Sequence, residues 1–298
     1  MANLSTSYLK PEIVSKLDNL SLRARLVVEG FIIGLHRSPY HGFSVEFAEH
    51  RAYGPGDEIR HVDWKLYAKT DRHYVKRFEE DTNLKSYLLV DQSRSMTYTS
   101  HSVDKLSYAQ TLGAALAYLM LKQQDAIGLA LFDSELRRYL APRAKPSHLD
   151  AILGRMSEIQ PGPETHIAPV LHQLAESIVK RGLIILISDL LDDPDQVLLA
   201  LKHFRHKNHE VIVFHILDPQ ELELNFSSRT RFRDLETGAI ITTEPWHIKK
   251  RYQREVTEFI ERFRSRCRQQ NIDYVLITTD RPLDQALSEY LLKRRRIG

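Results

Sequence analysis

From about Lys85 onward the chain alternates short apolar, β-branched runs with longer amphipathic segments. Residues 87–90, 127–132, 183–187, 211–214 and 274–277 are apolar at consecutive positions, as strands covered on both faces must be. Periodicity alone does not exclude buried helices for these runs. Between them, helical spacing covers 105–124, 148–159, 167–180, 194–206, 247–270 and 283–295. Asp193 followed by Pro194 is a helix start, with a capping side chain and then proline at the first helical position. This alternation predicts an α/β domain of Rossmann-like type, a mostly parallel sheet flanked by helices with right-handed crossovers. Two β-type interruptions stand out. One is Arg138-Tyr139-Leu140; the other spans 231–243, where Glu236-Thr237-Gly238 reads as a hairpin turn.

The residues before Lys85 have a different texture. A polar start leads into an apolar helical run over 22–35 and then a loop over 38–63 rich in Gly, Pro and charge. No Pro/Ser-rich linker separates this stretch from the sheet. The expected organisation is therefore an N-terminal α+β appendage, 1–84, packed on an α/β domain, 85–298. The Gly54-Pro55-Gly56-Asp57 glycines suit tight turns, and Arg51, Arg60, Asp63 and Trp64 are candidates for an ion-paired, tryptophan-anchored docking cluster.

Composition changes this picture little and narrows the function. The 298 residues are 42% hydrophobic and 27% charged, the profile of a folded chain. A net charge of +3 from 42 basic and 39 acidic residues gives no strong field for nucleic acid. The run Lys293–Arg296 closes an amphipathic helix, where cations suit the helix C-terminus. Cys267 is the single cysteine, so neither an intramolecular disulfide nor a thiolate zinc cluster can form, and a reducing cytoplasm fits. The first residues lack a secretory pattern, and no apolar run approaches the ~20 residues of a membrane span, so a soluble cytoplasmic protein is expected. There is no phosphate-binding Gly-x-x-x-x-Gly-Lys-Ser/Thr loop, so the chain should not hydrolyse ATP itself. His203, His206 and His209 recur in steps of three, but their place at a helix end explains them better than a transition-metal site does.

The candidate chemistry lies where strands end. The first long strand runs into Asp91-Gln92-Ser93-Arg94-Ser95, an Asp-x-Ser-x-Ser turn at the edge where open α/β sheets place ligands. One carboxylate and two hydroxyls in a single turn are hard oxygen donors suited to Mg²⁺, Mn²⁺ or Ca²⁺. Thr165 stands at the start of a later helix as a candidate cap. Asp189 closes the strand 183–187 and brings a second carboxylate to the same edge if the two strands are parallel and adjacent. Asp192, Asp193 and Asp195 follow closely and compete for that role. His166, beside Thr165, is a candidate for the mouth of the site.

In this order and placement, Asp91-x-Ser93-x-Ser95, Thr165 and Asp189 resemble the metal-ion-dependent adhesion site of von Willebrand A domains. The resemblance implies that the two serines and the threonine ligate a divalent cation directly. The aspartates would act directly or through water, and one position would stay open for an acidic residue of a protein partner. A second resemblance spans most of the chain. Arg51-Ala52-Tyr53-Gly54-Pro55-Gly56-Asp57-Glu58-Ile59-Arg60, Val62-Asp63-Trp64 and then Asp91 to Met96 are similar to the bacterial domain of unknown function fifty-eight. That family is associated with MoxR-type AAA+ ATPases, which implies a non-catalytic adaptor for an ATP-driven remodelling machine. The runner-up is a metal-dependent phosphatase or hydrolase. A phosphoaspartate mechanism, however, wants an acid two residues after Asp91, where Ser93 stands. A metal-free structural domain is a third reading, and dinucleotide binding a fourth that the absence of a Gly-x-Gly-x-x-Gly loop disfavours.

Overall fold

The described chain opens with a short helix, α1 (Pro11–Val14), and a long one, α2 (Leu20–Arg37). In a computed structural model of the protein the described residues are 10–37, 50–52, 74–76, 85–162, 166–235, 237–284, 287–288 and 290–291. The chain divides into two compact units, residues 1–34 with 84–298, and residues 35–83. Within the smaller unit, β1 (His50–Ala52) pairs antiparallel with β2 (Tyr74–Lys76). In the larger unit α2 buries Ala24, Val27, Val28 and Phe31. Their i, i+3, i+4, i+7 spacing makes the apolar stripe that the sequence shows over 22–35. The Gly54 to Asp57 loop, Arg60, Asp63, Trp64 and the tail Lys293–Arg296 lie outside the described residues.

The main sheet consists of β3 (Lys85–Asp91), β4 (Ala126–Phe132), β5 (Leu136–Arg143), β6 (Leu183–Ser188), β7 (Glu210–Leu217) and β10 (Asp273–Thr278). A separate two-stranded ribbon supplies β8 (Thr230–Arg233) and β9 (Ile240–Thr243). The order across the sheet is β10-β7-β6-β3-β4-β5, parallel except for β5, which runs antiparallel beside β4. β5 alternates exposed and half-buried residues, as an edge strand covered on one face does, which is why the sequence shows it only as a brief interruption.

The helices of the larger unit are α3 (Lys105–Lys122), α4 (Ser147–Ser157), α5 (Ile167–Ser177), α6 (Pro194–His206), α7 (Pro219–Glu223) and α8 (Pro245–Gln269). They cover both faces. Tyr87, Leu89, Ile184, Leu186, Val211 and Val213 form one core with α5, α6 and Phe263 and Cys267 of α8. Alternate residues point the other way, and there α3 comes so close that a Cβ on Gly113 would lie 3.1 Å from Leu88 and 3.8 Å from Ile187. Each fully buried Leu, Ile, Val or Phe in these layers contributes roughly 1.5–3 kcal/mol of transfer free energy. Residues 284, 287, 288, 290 and 291 are helical, with Leu287 and Tyr290 buried.

The strand order sets the location of the site. After β3 the chain moves one way to β4 and β5, then returns to the opposite side of β3 as β6 and continues outward to β7 and β10. The reversal separates the loops leaving β3 and β6 and opens a crevice at their carboxyl ends. Asp91 closes β3, and Ser188 and Asp189 close β6.

Candidate functional site at the carboxyl edge of the sheet

Hydrogen bonds of its own fold the Asp91 turn. Gln92 N donates to Phe132 O at 2.7 Å, holding the start of the turn on the end of β4. Ser93 N donates to Asp91 Oδ1 at 2.8 Å, and Met96 N to Ser93 O at 3.1 Å. A 3₁₀ turn, Arg94–Thr97, follows, and Met96 is fully buried beneath it. The result brings Ser93 Oγ and Ser95 Oγ within 3.0 Å of each other, directly after the carboxylate. Ser188 of the neighbouring strand donates its hydroxyl to Asp91 Oδ2 at 2.6 Å. Asp91 and Ser93 are fully buried.

Asp189, also fully buried, is held differently. Lys105 Nζ, at the first position of α3, lies 2.8 Å from Asp189 Oδ2 and 2.6 Å from Glu221 Oε1. The Lys105 side chain has no exposed surface and sits 5.9 Å from the centre of the Tyr98 ring. Burial by itself would lower the affinity of this amine for its proton. Asp189 and Glu221 outweigh burial and hold Lys105 above its ordinary value. The turn beyond Asp189 is bent by Leu190, a buried non-glycine residue at φ 55°, whose N–H bonds to Ser188 Oγ at 2.9 Å. Left-handed backbone at such a residue costs on the order of 1 kcal/mol or more, and here it fixes where Asp189 points.

Burial and the neighbouring Asp189 charge push the Asp91 carboxyl up to about 7, against the opposing pull of its hydrogen bonds from Ser188 and Ser93. Both aspartates belong to one crowded pocket of negative charge. Lys105 neutralises the Asp189 side, whereas Asp91 has only neutral donors among the described residues.

The remaining sequence candidates fall into place around this pair. Thr165 lies outside the described residues, together with Pro163 and Glu164. His166 is the N-cap of α5 and makes no capping side-chain bond, while Asp192 Oδ2 accepts from Ile167 N at 2.8 Å and Ala168 N at 3.2 Å. A carboxylate from a distant loop thus satisfies the free amides of the helix start, which local spacing does not show. Asp192 is thereby engaged. Asp193 caps α6, and Asp195 pairs with Arg262, which leaves Asp189 as the carboxylate that faces Asp91. His166 is largely exposed, 3.5 Å from Asp192 Oδ1.

Gly162 N donates to Gln92 O at 3.0 Å, and Ser93 bridges to Gly162, so the loop before α5 is stitched to the Asp91 turn. A Cβ at Gly162 would lie 2.1 Å from Asp133 Oδ2, an approach only glycine allows. The histidine trio is not a cluster. His209 bonds to Ile178 O, while His203 contacts His172 and Glu176. Among the described residues no group of three His, Cys, Asp or Glu is placed to hold a metal ion.

Sequence reading missed Lys105, Ser188 and Glu221. Lys105 and its carboxylates are 84 and 116 residues apart, so no local pattern links them. For Glu221 a signal existed. Asp218-Pro219-Gln220-Glu221 is a capping box at the start of α7.

Chemically, the turn offers a carboxylate and two hydroxyls, with a second carboxylate opposite. Hard oxygen donors and an excess of buried negative charge fit a small divalent cation, and no described group in the turn is a soft ligand or a nucleophile with an adjacent base.

Comparisons with known proteins add the following. The family described as "Protein of unknown function DUF58" matches residues 49–262. Uncharacterized proteins of Mycobacterium bovis and Mycobacterium tuberculosis are 26% identical over 233 residues, covering 77% of this chain and 73% of theirs. Among solved structures, the conserved hypothetical protein BatB from Bacteroides thetaiotaomicron aligns at 18% identity and a TM-score of 0.48, over 72% of this chain and 99% of that one. The SpRpn10 VWA domain aligns at 12% identity and a TM-score of 0.40, over 69% and 94%. Among the described residues no helix is long and apolar enough to cross a membrane.

Proposed function

The chain belongs to the DUF58 family, and from that membership and the strand-end geometry we propose a protein-interaction module whose Asp91 turn binds a divalent cation. The observation that carries the reading is Asp91 itself, a fully buried carboxylate beside a second one, with hydroxyls and an amide as its partners and no basic side chain among the described residues. Isolated buried charge is too costly to leave uncompensated, and Lys105 already compensates Asp189.

In this reading Asp91, Ser93 and Ser95 hold the cation, with Thr165 and Asp189 completing the set. Mg²⁺ is the first choice, and Mn²⁺ or Ca²⁺ are the alternatives for the same hard donors. When bound, the cation supplies positive charge at the crevice, an anchor for an acidic side chain of a protein partner. The rest of the work falls to the chain. Ser188 orients Asp91, Lys105 holds Asp189 back at its 2.8 Å contact, and the Gly162 stitch keeps the turn closed. The partner assigned by family resemblance is a MoxR-type AAA+ ATPase, with this chain as its non-catalytic adaptor.

The test is capture of a purified MoxR-type AAA+ ATPase, in millimolar Mg²⁺ and again in chelator. Capture that needs the cation and disappears in Asp91→Asn supports the reading. Capture indifferent to both removes the cation from the function. Phosphatase turnover lost in Asp91→Asn would instead point to hydrolytic chemistry.

A further inference from the structure

The hairpin that sequence reading placed at 231–243 is the ribbon β8–β9, and the function proposed above does not use it. It lies between α7 and α8 and is stabilised locally, with Phe232 against Phe226 at 5.3 Å and a Gly238 turn at φ 72°. An isolated two-stranded ribbon is marginal by itself, so apolar residues on it would be expected to face inward. They do not. Leu235 is 37%, Ile240 51% and Ile241 68% exposed, and the first turn of α8 exposes Trp246 at 47% and Ile248 at 39%. Five of the eleven exposed large apolar side chains among the described residues therefore fall within one stretch, 235–248, with Ile240 and Ile241 on opposite faces of the ribbon.

Within the two strands of the ribbon the charged residues are Arg231 and Arg233, and Asp234 and Glu244 lie just outside them. Arg229, Arg231 and Arg233 are exposed and form no ion pair with a described residue. The pairing register sets Arg233 opposite Ile240 and Arg231 opposite Thr242, so two guanidinium groups and an isoleucine share one face of the ribbon. The ribbon also reaches the candidate site. Arg94, between Ser93 and Ser95, donates through Nη1 to Leu235 O at 3.4 Å.

We propose that the β8–β9 ribbon docks an acidic segment of a protein partner, one in which Asp or Glu alternates with aliphatic residues, beside the Asp91 turn. This rests on the cation reading only for the partner's nearby acidic anchor; the ribbon's own contacts are independent of it. Alternating acids and aliphatics match the ribbon because a paired strand presents side chains at every second position to one face.

A random-peptide display selection on the full chain in millimolar Mg²⁺ tests this, with Arg231→Glu/Arg233→Glu and Asp91→Asn as parallel baits. All three substituted residues leave the apolar core untouched, and circular dichroism checks the fold. The expected result is an acidic–aliphatic consensus whose synthetic peptide binds about tenfold or more weakly to the double arginine variant. Binding that survives in the arginine variant but falls in Asp91→Asn overturns the ribbon and leaves the cation reading standing. Binding that falls in the arginine variant and survives both Asp91→Asn and chelator supports the ribbon and shows that its contacts do not need the cation. A consensus without acids, or no enriched peptide, overturns the ribbon. So does cosedimentation with phosphatidylserine vesicles that depends on the same arginines, which would make the surface a lipid contact.

Discussion

Asp91 and Asp189 end neighbouring parallel strands, are equally buried, and repel each other, yet the protein treats them in opposite ways. The β6 end is closed from within. Lys105 fills it and ties it to Glu221, so Asp189, α3 and α7 form one ionic unit. The β3 end has hydroxyls where a cationic side chain would stand. Two carboxylates of the same residue type in one crevice thus differ only in whether the fold provides their counter-charge. Their difference separates a carboxylate paired within the fold from one that has no counter-charge among the described residues.

The largest effect is expected where the internal cation is removed. Lys105→Met should cost about 3–5 kcal/mol in a urea titration, because it strands the buried Asp189 and the half-buried Glu221. The triple variant Lys105→Met, Asp189→Asn, Glu221→Gln should recover most of that loss. A single variant as stable as wild type would mean that the β6 end is not closed by charge.

The β3 end should respond with the opposite sign. Its carboxyl sits above the ordinary value near 4, at about 7, so between those pH values the native state holds a proton that the unfolded chain has lost. Cation-free stability should therefore fall as pH rises from about 4 to about 7 and then level off. Asp91→Asn should abolish that slope and raise cation-free stability at pH 8 by on the order of 2 kcal/mol. Denaturant melts across this range check it, and an Asn variant less stable than wild type at pH 8 would show that Asp91 is already compensated.

A smaller effect should come from loosening the open end without touching its donors. Gly162→Ala forces a Cβ against Asp133 Oδ2 and should cost about 1–3 kcal/mol, while the Lys105 unit stays intact. The pattern expected is weaker cation response with an unchanged contribution from Lys105→Met when the two substitutions are combined, since distant sites add. Coupling between them would join the two ends into one unit.

Much of this architecture was legible in the sequence for one reason. Strands buried on both faces read as unbroken apolar runs, and β3, β4, β6 and β7 do; the edge strand β10 also carries an apolar run, although its residues alternate between buried and half-buried. Asp91, Ser93 and Ser95 were legible too, since one turn holds all three. What the sequence hid is what depends on distance along the chain. Lys105 reads as the first residue of an amphipathic helix, a position that is ordinarily solvated, and only the tertiary fold sets it between Asp189 and Glu221. Asp192 reaches the first amide of α5 across 25 residues, which local spacing does not show for the same reason. β5 escaped full notice because an edge strand with one exposed face carries a weak apolar pattern.

The most direct measurement is isothermal titration of Mg²⁺, then Mn²⁺, into metal-stripped protein, with Asp91→Asn and Lys105→Met as controls. A single saturable site in the wild type that is lost in Asp91→Asn and kept in a folded Lys105→Met would establish that the β3 end is the one left open. Heat of binding that persists in Asp91→Asn, or that is absent from the wild type and every variant, would contradict it.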